Sequence, residues 1–249
     1  MEDKVLFKNS KGDKLCGILT NPSGDITNLI IVFIHGFNSN KDSRTLALTR
    51  YLLNKKNIST FRFDLFGQGE SEGKFEELTL TEGINDGLAA IAVLKKRGYK
   101  KIGVIGGSFG ANVAIHIASR LKSVLLLGLI SSAVDYKEQI QNALSKSELQ
   151  EWKEQGYRTI KDGKRINYTY YQDIVNHSAF EAARDIRIPT LIIHGDDDES
   201  VPVSQSIKLS KIIPHNKLVL IKGADHHYSN PLRYEEMSKV MADFILKFR

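Results

Sequence analysis

GVIGGSFGANVAIHIA, residues Gly103 to Ala118, sets an apolar run against a segment of helical period, with one hydroxyl at the junction. Gly106 and Gly110 stand two positions to either side of Ser108. Glycines so placed let the backbone turn too tightly for larger residues, and such a turn pushes the central side chain outward. KIGVIGG reads as a strand and ANVAIHIASRL as a helix, so Ser108 falls at a strand-to-helix corner. The competing reading is a tight turn carrying an ordinary serine, and the rest of the chain has to decide between them.

Outward from this corner, short runs rich in Val, Ile and Phe recur: VLFKNS, KLCGILT, NLIIVFIHG, STFRFDLFG, KIGVIGG, SVLLLGLIS, TLIIHGD and KLVLIKGA. They predict eight strands. From the third onward they are apolar nearly throughout rather than alternating, the pattern of a parallel sheet covered on both faces. Segments of helical period fill the gaps: SRTLALTRYLLNKKN, TLTEGINDGLAAIAVLKKRG, the run after Ser108, VSQSIKLSKII and the closing NPLRYEEMSKVMADFILKFR. Such alternation predicts a doubly wound α/β sheet, a single domain over residues 1–249. Residues 131–187 break the rhythm, being polar, charged and aromatic without a core strand, and are expected to form an inserted cap.

Composition agrees with one folded domain: 249 residues, 41% hydrophobic and 26% charged. The net charge of +6 is spread along the chain rather than clustered, which argues against a nucleic-acid partner. Cys16 is the single cysteine, so neither an internal disulfide nor a thiolate cluster can form. The first fifteen residues lack a basic segment followed by an apolar core, and LIIVFI and VLLLGLI are too short to span a bilayer. A cytoplasmic location without membrane attachment is the expectation.

A serine hydroxyl is a weak nucleophile at neutral pH, so it needs an imidazole base, and the base needs a carboxylate to hold its tautomer. Both follow Ser108, each directly beyond a strand. DDDES supplies Asp196, Asp197 and Asp198; DHHYS supplies His226 and His227. Four adjacent acids are by default a solvated loop, and residue chemistry alone leaves the three aspartates open. Their order, serine then acid then histidine, differs from both protease arrangements. Acyl transfer also needs donors for the developing oxyanion. The amide of Phe109, next after Ser108, is one; FIHGFNSNKDS, after the third strand, offers that of Phe37, with Gly36 permitting close approach.

These motifs resemble those of α/β-hydrolase esterases. HGDDDESVP is similar to their HGxxDxxVP segment, which places the triad carboxylate on Asp198; GADHHY is similar to GAxHxF/Y, which places the base on His226 and leaves His227 exposed. FRFDLFGQGESEGKFEELTLTEGINDGLAAIAVLKK further resembles FDFxGHGxSDGxFxxMT and the acidic helix after it in microbial cinnamoyl and feruloyl esterases. Gln68 and Glu70 depart from that pattern, and the insertion matches it only loosely. The resemblance implies an α/β-hydrolase fold with a mostly parallel eight-stranded sheet, a Ser108–His226–Asp198 triad and an acyl-enzyme. It also implies that a late tyrosine of the insertion contacts the acyl ring; Tyr170, in NYTYYQDIV, matches, followed by Asp135 and Trp152. Hydroxycinnamate esters are the expected substrates, ahead of monoacylglycerols or lysophospholipids. A non-catalytic binding protein of the same fold would be expected to have lost a triad member.

The remaining histidines read quietly: His116 as packing, His177 and His215 as solvated, His194 as a brace for the acid turn. No HExxH, CxxC or calcium-loop spacing occurs, so neither a metal nor a cofactor is expected. The expected partner is a small-molecule ester, and self-association as a homodimer stays open.

Overall fold

The computed structural model describes residues 2–249. Its first half runs β1 (Glu2–Lys8), β2 (Lys14–Thr20), β3 (Ile30–Ile34), α1 (Arg44–Lys55), β4 (Ser59–Phe63), α2 (Leu80–Lys96), β5 (Ile102–Gly107), α3 (Phe109–Arg120) and β6 (Val124–Ile130). The inserted segment carries α4 (Tyr136–Ala143), α5 (Lys146–Gln155), β7 (Tyr157–Thr159), β8 (Arg165–Asn167), α6 (Tyr168–Ile174) and α7 (Ala179–Ala183). The chain closes with β9 (Thr190–Gly195), α8 (Val203–Ile212), β10 (Asn216–Ile221) and α9 (Pro231–Leu246).

Eight strands form one sheet in the order β1-β2-β4-β3-β5-β6-β9-β10, antiparallel only at β1-β2 and β2-β4. This is the α/β-hydrolase fold. The eight apolar runs of the sequence are its eight strands; β7 and β8 pair separately as a short hairpin.

Both faces of the sheet are buried, which is why the central strands are continuously apolar. Along β3, Ile30, Val32 and Ile34 face one core with α2 and α3, while Ile31 and Phe33 face the other with α1 and α9. Leu209 and Ile213, at and just after α8, join the first core, and so do Trp152, Ile166, Tyr170 and Ile174 of the insertion. The insertion is therefore seated on the sheet's own core rather than on one of its own.

Strand order reverses between β3 and β5: β4 lies beyond β3 on one side and β6 beyond β5 on the other. At such a switch point the loops leaving the strand ends diverge and open a crevice. Register brings those ends level, with Ile34 opposite Gly106, Gly107 opposite Ile130, Ile130 opposite Ile193 and Gly195 opposite Ile221. The loops after β3, β5, β9 and β10 thus share one rim, and they carry Phe37, Ser108, Asp198 and His226.

Candidate active site

The corner after β5 is tighter than the sequence implied, for a different reason. Ser108 itself holds φ +53°, ψ −118°, a region that residues with a Cβ rarely occupy, while Gly106 and Gly110 lie outside the positive-φ set. The glycines serve close approach instead. A Cβ on Gly106 would stand 2.1 Å from the Gly110 carbonyl oxygen, and one on Gly110 2.3 Å from that of Ile34. The Ser108 N–H donates to Ile130 O at 2.9 Å, pinning the corner to β6.

The loops after β9 and β10 are laced together. Gly195 admits the Ala224 carbonyl, which would lie 2.1 Å from a Cβ there, and the Asp197 N–H donates to that oxygen at 3.1 Å. The three aspartates then separate by position. Asp196 accepts the Gly223 N–H at 2.6 Å, Asp197 is exposed, and Asp198 turns its carboxylate into the protein. Its Oδ1 accepts the N–H groups of Ser200 and Val201 at 2.9 and 2.8 Å, and its Oδ2 accepts from His226 Nδ1 at 2.7 Å. His194 Nε2 lies 3.1 Å from the same Oδ2 and 3.0 Å from Val201 O. Both are acceptors, so Nε2 carries the proton, and His194 Nδ1 accepts from Ser206 Oγ at 2.7 Å. His194 thus braces the turn. Burial alone would raise the Asp198 carboxyl; the hydrogen bonds from His194, His226 and Val201 outweigh it and hold the group well below the usual carboxylate range.

An ionised Asp198 decides the tautomer of His226. Nδ1 must carry the proton it donates, which leaves Nε2 free to accept. Ser108 Oγ stands 3.1 Å from that Nε2. Hydroxyl, imidazole and carboxylate therefore form one directed hydrogen-bonded line from residues 118 and 28 positions apart in the chain.

The loop after β3 closes the other side. A Cβ on Gly36 would lie 3.4 Å from Ser108 Cβ, so this turn passes directly beside the serine. Among the described residues the Phe37 N–H meets no acceptor, and Phe109, first residue of α3, has an amide with no intrahelical partner. His35 supports the turn: its Nδ1 donates to Gly36 O at 2.8 Å and its Nε2 accepts the Leu65 N–H at 3.0 Å. Burial lowers its pKa to about 4, which keeps it neutral as that pattern requires. Farther along, Lys41 Nζ lies 2.7 Å from both Asp64 and Glu70. Among the described residues only Cys16, Asp64 and Glu70 cluster closely enough to hold a metal ion, and the Lys41 ammonium already supplies the positive charge those carboxylates require.

A cavity of about 330 Å³ extends from Ser108 and His226 under the insertion. Tyr170 and Trp152 line it. Tyr170 packs with ring centroids 5.5 Å from Phe37, 6.3 Å from Tyr136 and 6.4 Å from Phe109. Trp152 is fixed by its Nε1–H donating to Ile166 O at 3.1 Å. Asp135 departs from expectation: it does not line the cavity, because its carboxylate caps α4 by accepting the Glu138 N–H at 3.1 Å. His177 departs too. It is half-buried, packed 5.6 Å from His116 with Nδ1 on Asp173 O at 2.9 Å. Tyr136 and Arg158 line the cavity without having been anticipated. The spacing of Tyr136 to Ile140 on one helix face was the available signal for the first.

The insertion is latched at two points. Asp173 of α6 accepts from the Thr81 N–H at 2.9 Å at the start of α2. Asn38, next to Phe37, bonds to Asp162 and Lys164 at the tip of the β7-β8 hairpin.

Comparison with known proteins places this chain among hydrolases. The profile of the Alpha/beta hydrolase family matches residues 31–243. The chain is 26% identical to the mitochondrial palmitoyl-protein thioesterase ABHD10 of Mus musculus over 205 residues, 79% of this chain and 68% of that one. It superposes on Est1E of Butyrivibrio proteoclasticus with bound ferulic acid at TM-score 0.89, with 25% identity and 98% of each chain covered. The structure of mouse alpha/beta hydrolase domain-containing protein 10 superposes at TM-score 0.84, with 23% identity over 99% of this chain and all of that one. Among the described residues no helix is long and apolar enough to cross a membrane.

Proposed function

We propose, from the premise that this chain belongs to the alpha/beta hydrolase family, that it is a serine carboxyl ester hydrolase for small aromatic acyl esters of the hydroxycinnamate kind. The observation that carries the chemistry is the line Ser108 Oγ, His226 Nε2 at 3.1 Å, His226 Nδ1, Asp198 Oδ2 at 2.7 Å.

In the proposed cycle Ser108 Oγ attacks the ester carbonyl as His226 Nε2 takes its proton, and Asp198 stabilises the imidazolium. The unpartnered amides of Phe37 and Phe109 receive the oxyanion, each such donor contributing roughly 3–4 kcal/mol to the transition state. His226 then protonates the leaving alcohol, and an acyl-Ser108 remains. Water, deprotonated by the same Nε2, attacks the acyl carbonyl; collapse frees the acid and returns the proton to Ser108. The scheme uses no cofactor.

Two observations support the aromatic acyl preference. Phe37, Tyr136, Trp152 and Tyr170 present their rings to the cavity, where a cinnamoyl ring gains edge and face contacts. The similar Est1E structure holds ferulic acid. The likeness to palmitoyl-protein thioesterases favours a second reading, a long-chain thioester in the same apolar cavity. Turnover of ethyl ferulate, p-nitrophenyl acetate, a long-chain monoacylglycerol and an S-palmitoyl peptide separates these readings. Equal rates on all four remove the acyl preference, and absence of a fluorophosphonate adduct on Ser108 removes the hydrolase.

A further inference from the structure

The acyl cavity has an uneven charge lining. Among the described residues no carboxylate lines it, and Arg158 is the one Lys or Arg side chain that does. Arg158 stands on β7 opposite Ile166, with its guanidinium 5.4 Å from the ring centroid of Trp152. Among the described residues no acid lies within ion-pairing distance of it. Glu148 and Glu151 share a neighbouring hollow with it without forming an ion pair, and Glu148 is committed to the capping box with Ser145 at the start of α5. A second donor opens on the same space: Gln139 lines the cavity, and its Nε2 is buried without an acceptor. Arg158 is half-buried at the cavity wall, and the buried Gln139 amide donor beside it stays unmet until an acceptor-rich group arrives. Both belong to the insertion, the wall facing the strand ends that carry Ser108.

We propose that this cavity selects acyl groups bearing a carboxylate at the end remote from the scissile carbonyl, with Arg158 as its counter-charge and Gln139 as a supporting donor. The inference rests on the hydrolase reading above and narrows its substrate class. A guanidinium beside an indole suits carboxylate capture, because its planar fork of N–H groups can bind a carboxylate side-on.

The test compares ethyl 4-carboxycinnamate with ethyl 4-methylcinnamate, matched in shape and differing in charge. In the unmodified protein the ratio of kcat/KM, charged over neutral, is expected to exceed one. Arg158→Gln should lower that ratio by about tenfold or more, the scale of a hydrogen bond to a charged group, and Arg158→Lys should restore part of it. A ratio unchanged by Arg158→Gln, with Ser108 still labelled by fluorophosphonate, overturns the proposal and leaves the hydrolase intact. Absence of both labelling and turnover in the unmodified protein instead overturns the hydrolase reading. Should Arg158→Gln cleave neither ester, calorimetric binding of 4-carboxycinnamate decides. On a Ser108→Ala background, binding weakened about tenfold by Arg158→Gln supports the proposal, and unchanged binding refutes it.

Discussion

Replacing Asp198 by Asn tests the proton line more sharply than deleting it, because the structure dictates which way the new amide must point. The Ser200 and Val201 N–H groups both aim at Oδ1, at 2.9 and 2.8 Å, so an asparagine places its carbonyl oxygen there. Its NH2 then falls at the Oδ2 position, 2.7 Å from His226 Nδ1 and 3.1 Å from His194 Nε2. Both nitrogens are donors in the native arrangement. His226 can escape only by moving its proton to Nε2, which removes the acceptor that Ser108 Oγ requires. His194 has no such escape, since Val201 O still demands its Nε2 proton. Loss of the correct tautomer in a serine triad costs about 10⁴ in kcat, equivalent to about 5 kcal/mol of barrier at 1.36 kcal/mol per decade. We expect Asp198→Asn to lower kcat on ethyl ferulate by three to four decades, roughly, with KM little changed. Fluorophosphonate labelling of Ser108 should slow in parallel, because it depends on the same proton transfer. An Asn variant that retains kcat within about tenfold of the parent, or roughly 1.4 kcal/mol, would refute the tautomer argument.

Three further outcomes are expected. Gly106→Ala puts a methyl 2.1 Å from Gly110 O and should cost at least about 3 kcal/mol by urea unfolding; Gly107→Ala, whose nearest neighbour is 3.9 Å away, should cost far less. Burial pushes the Asp86 carboxyl from 3.8 up to about 7 despite hydrogen bonds from the Phe66 N–H and Asn9. A group raised on folding gives its full contribution below its unfolded value and loses it as pH climbs through the folded one, so stability should decline between pH 3.8 and about 7. Asp86→Asn should lack that slope, as read from urea midpoints across the window. Trp152→Ala removes a buried indole packed on Tyr168 and Tyr171 together with its bond to Ile166 O. It should weaken the insertion by about 3–5 kcal/mol, seen as faster amide exchange over residues 136–174 while β3 and β5 stay protected.

How much could be read in advance depended on whether a residue's role is local or convergent. The central strands were legible because burial on both faces leaves a one-dimensional mark, a nearly unbroken apolar run. The β7-β8 hairpin was not, since three-residue strands are too short to show a period. Asp135 was misjudged because an aspartate that caps a helix and one that meets a ligand look alike in a polar segment; the difference lies in whether α4 begins there. Arg158 looked like any surface charge, and only its place in the cavity wall without an ion-pair partner sets it apart.

The sequence by itself determined the eight strands of the sheet and the helices outside the insertion, and with them the rim to which Ser108, the acid loop and the histidine loop must come, because strand burial and turn chemistry act between near neighbours in the chain. Resemblance to a known pattern selected Asp198 and His226 among chemically equivalent neighbours. What only the tertiary structure decided is the physical ground of that selection and the shape of the pocket. Asp196 is drawn away by Gly223, Asp197 faces water, and four donors converge on Asp198. Donor direction, tautomer and cavity charge are sums over groups from distant segments, and no local run of residues contains them.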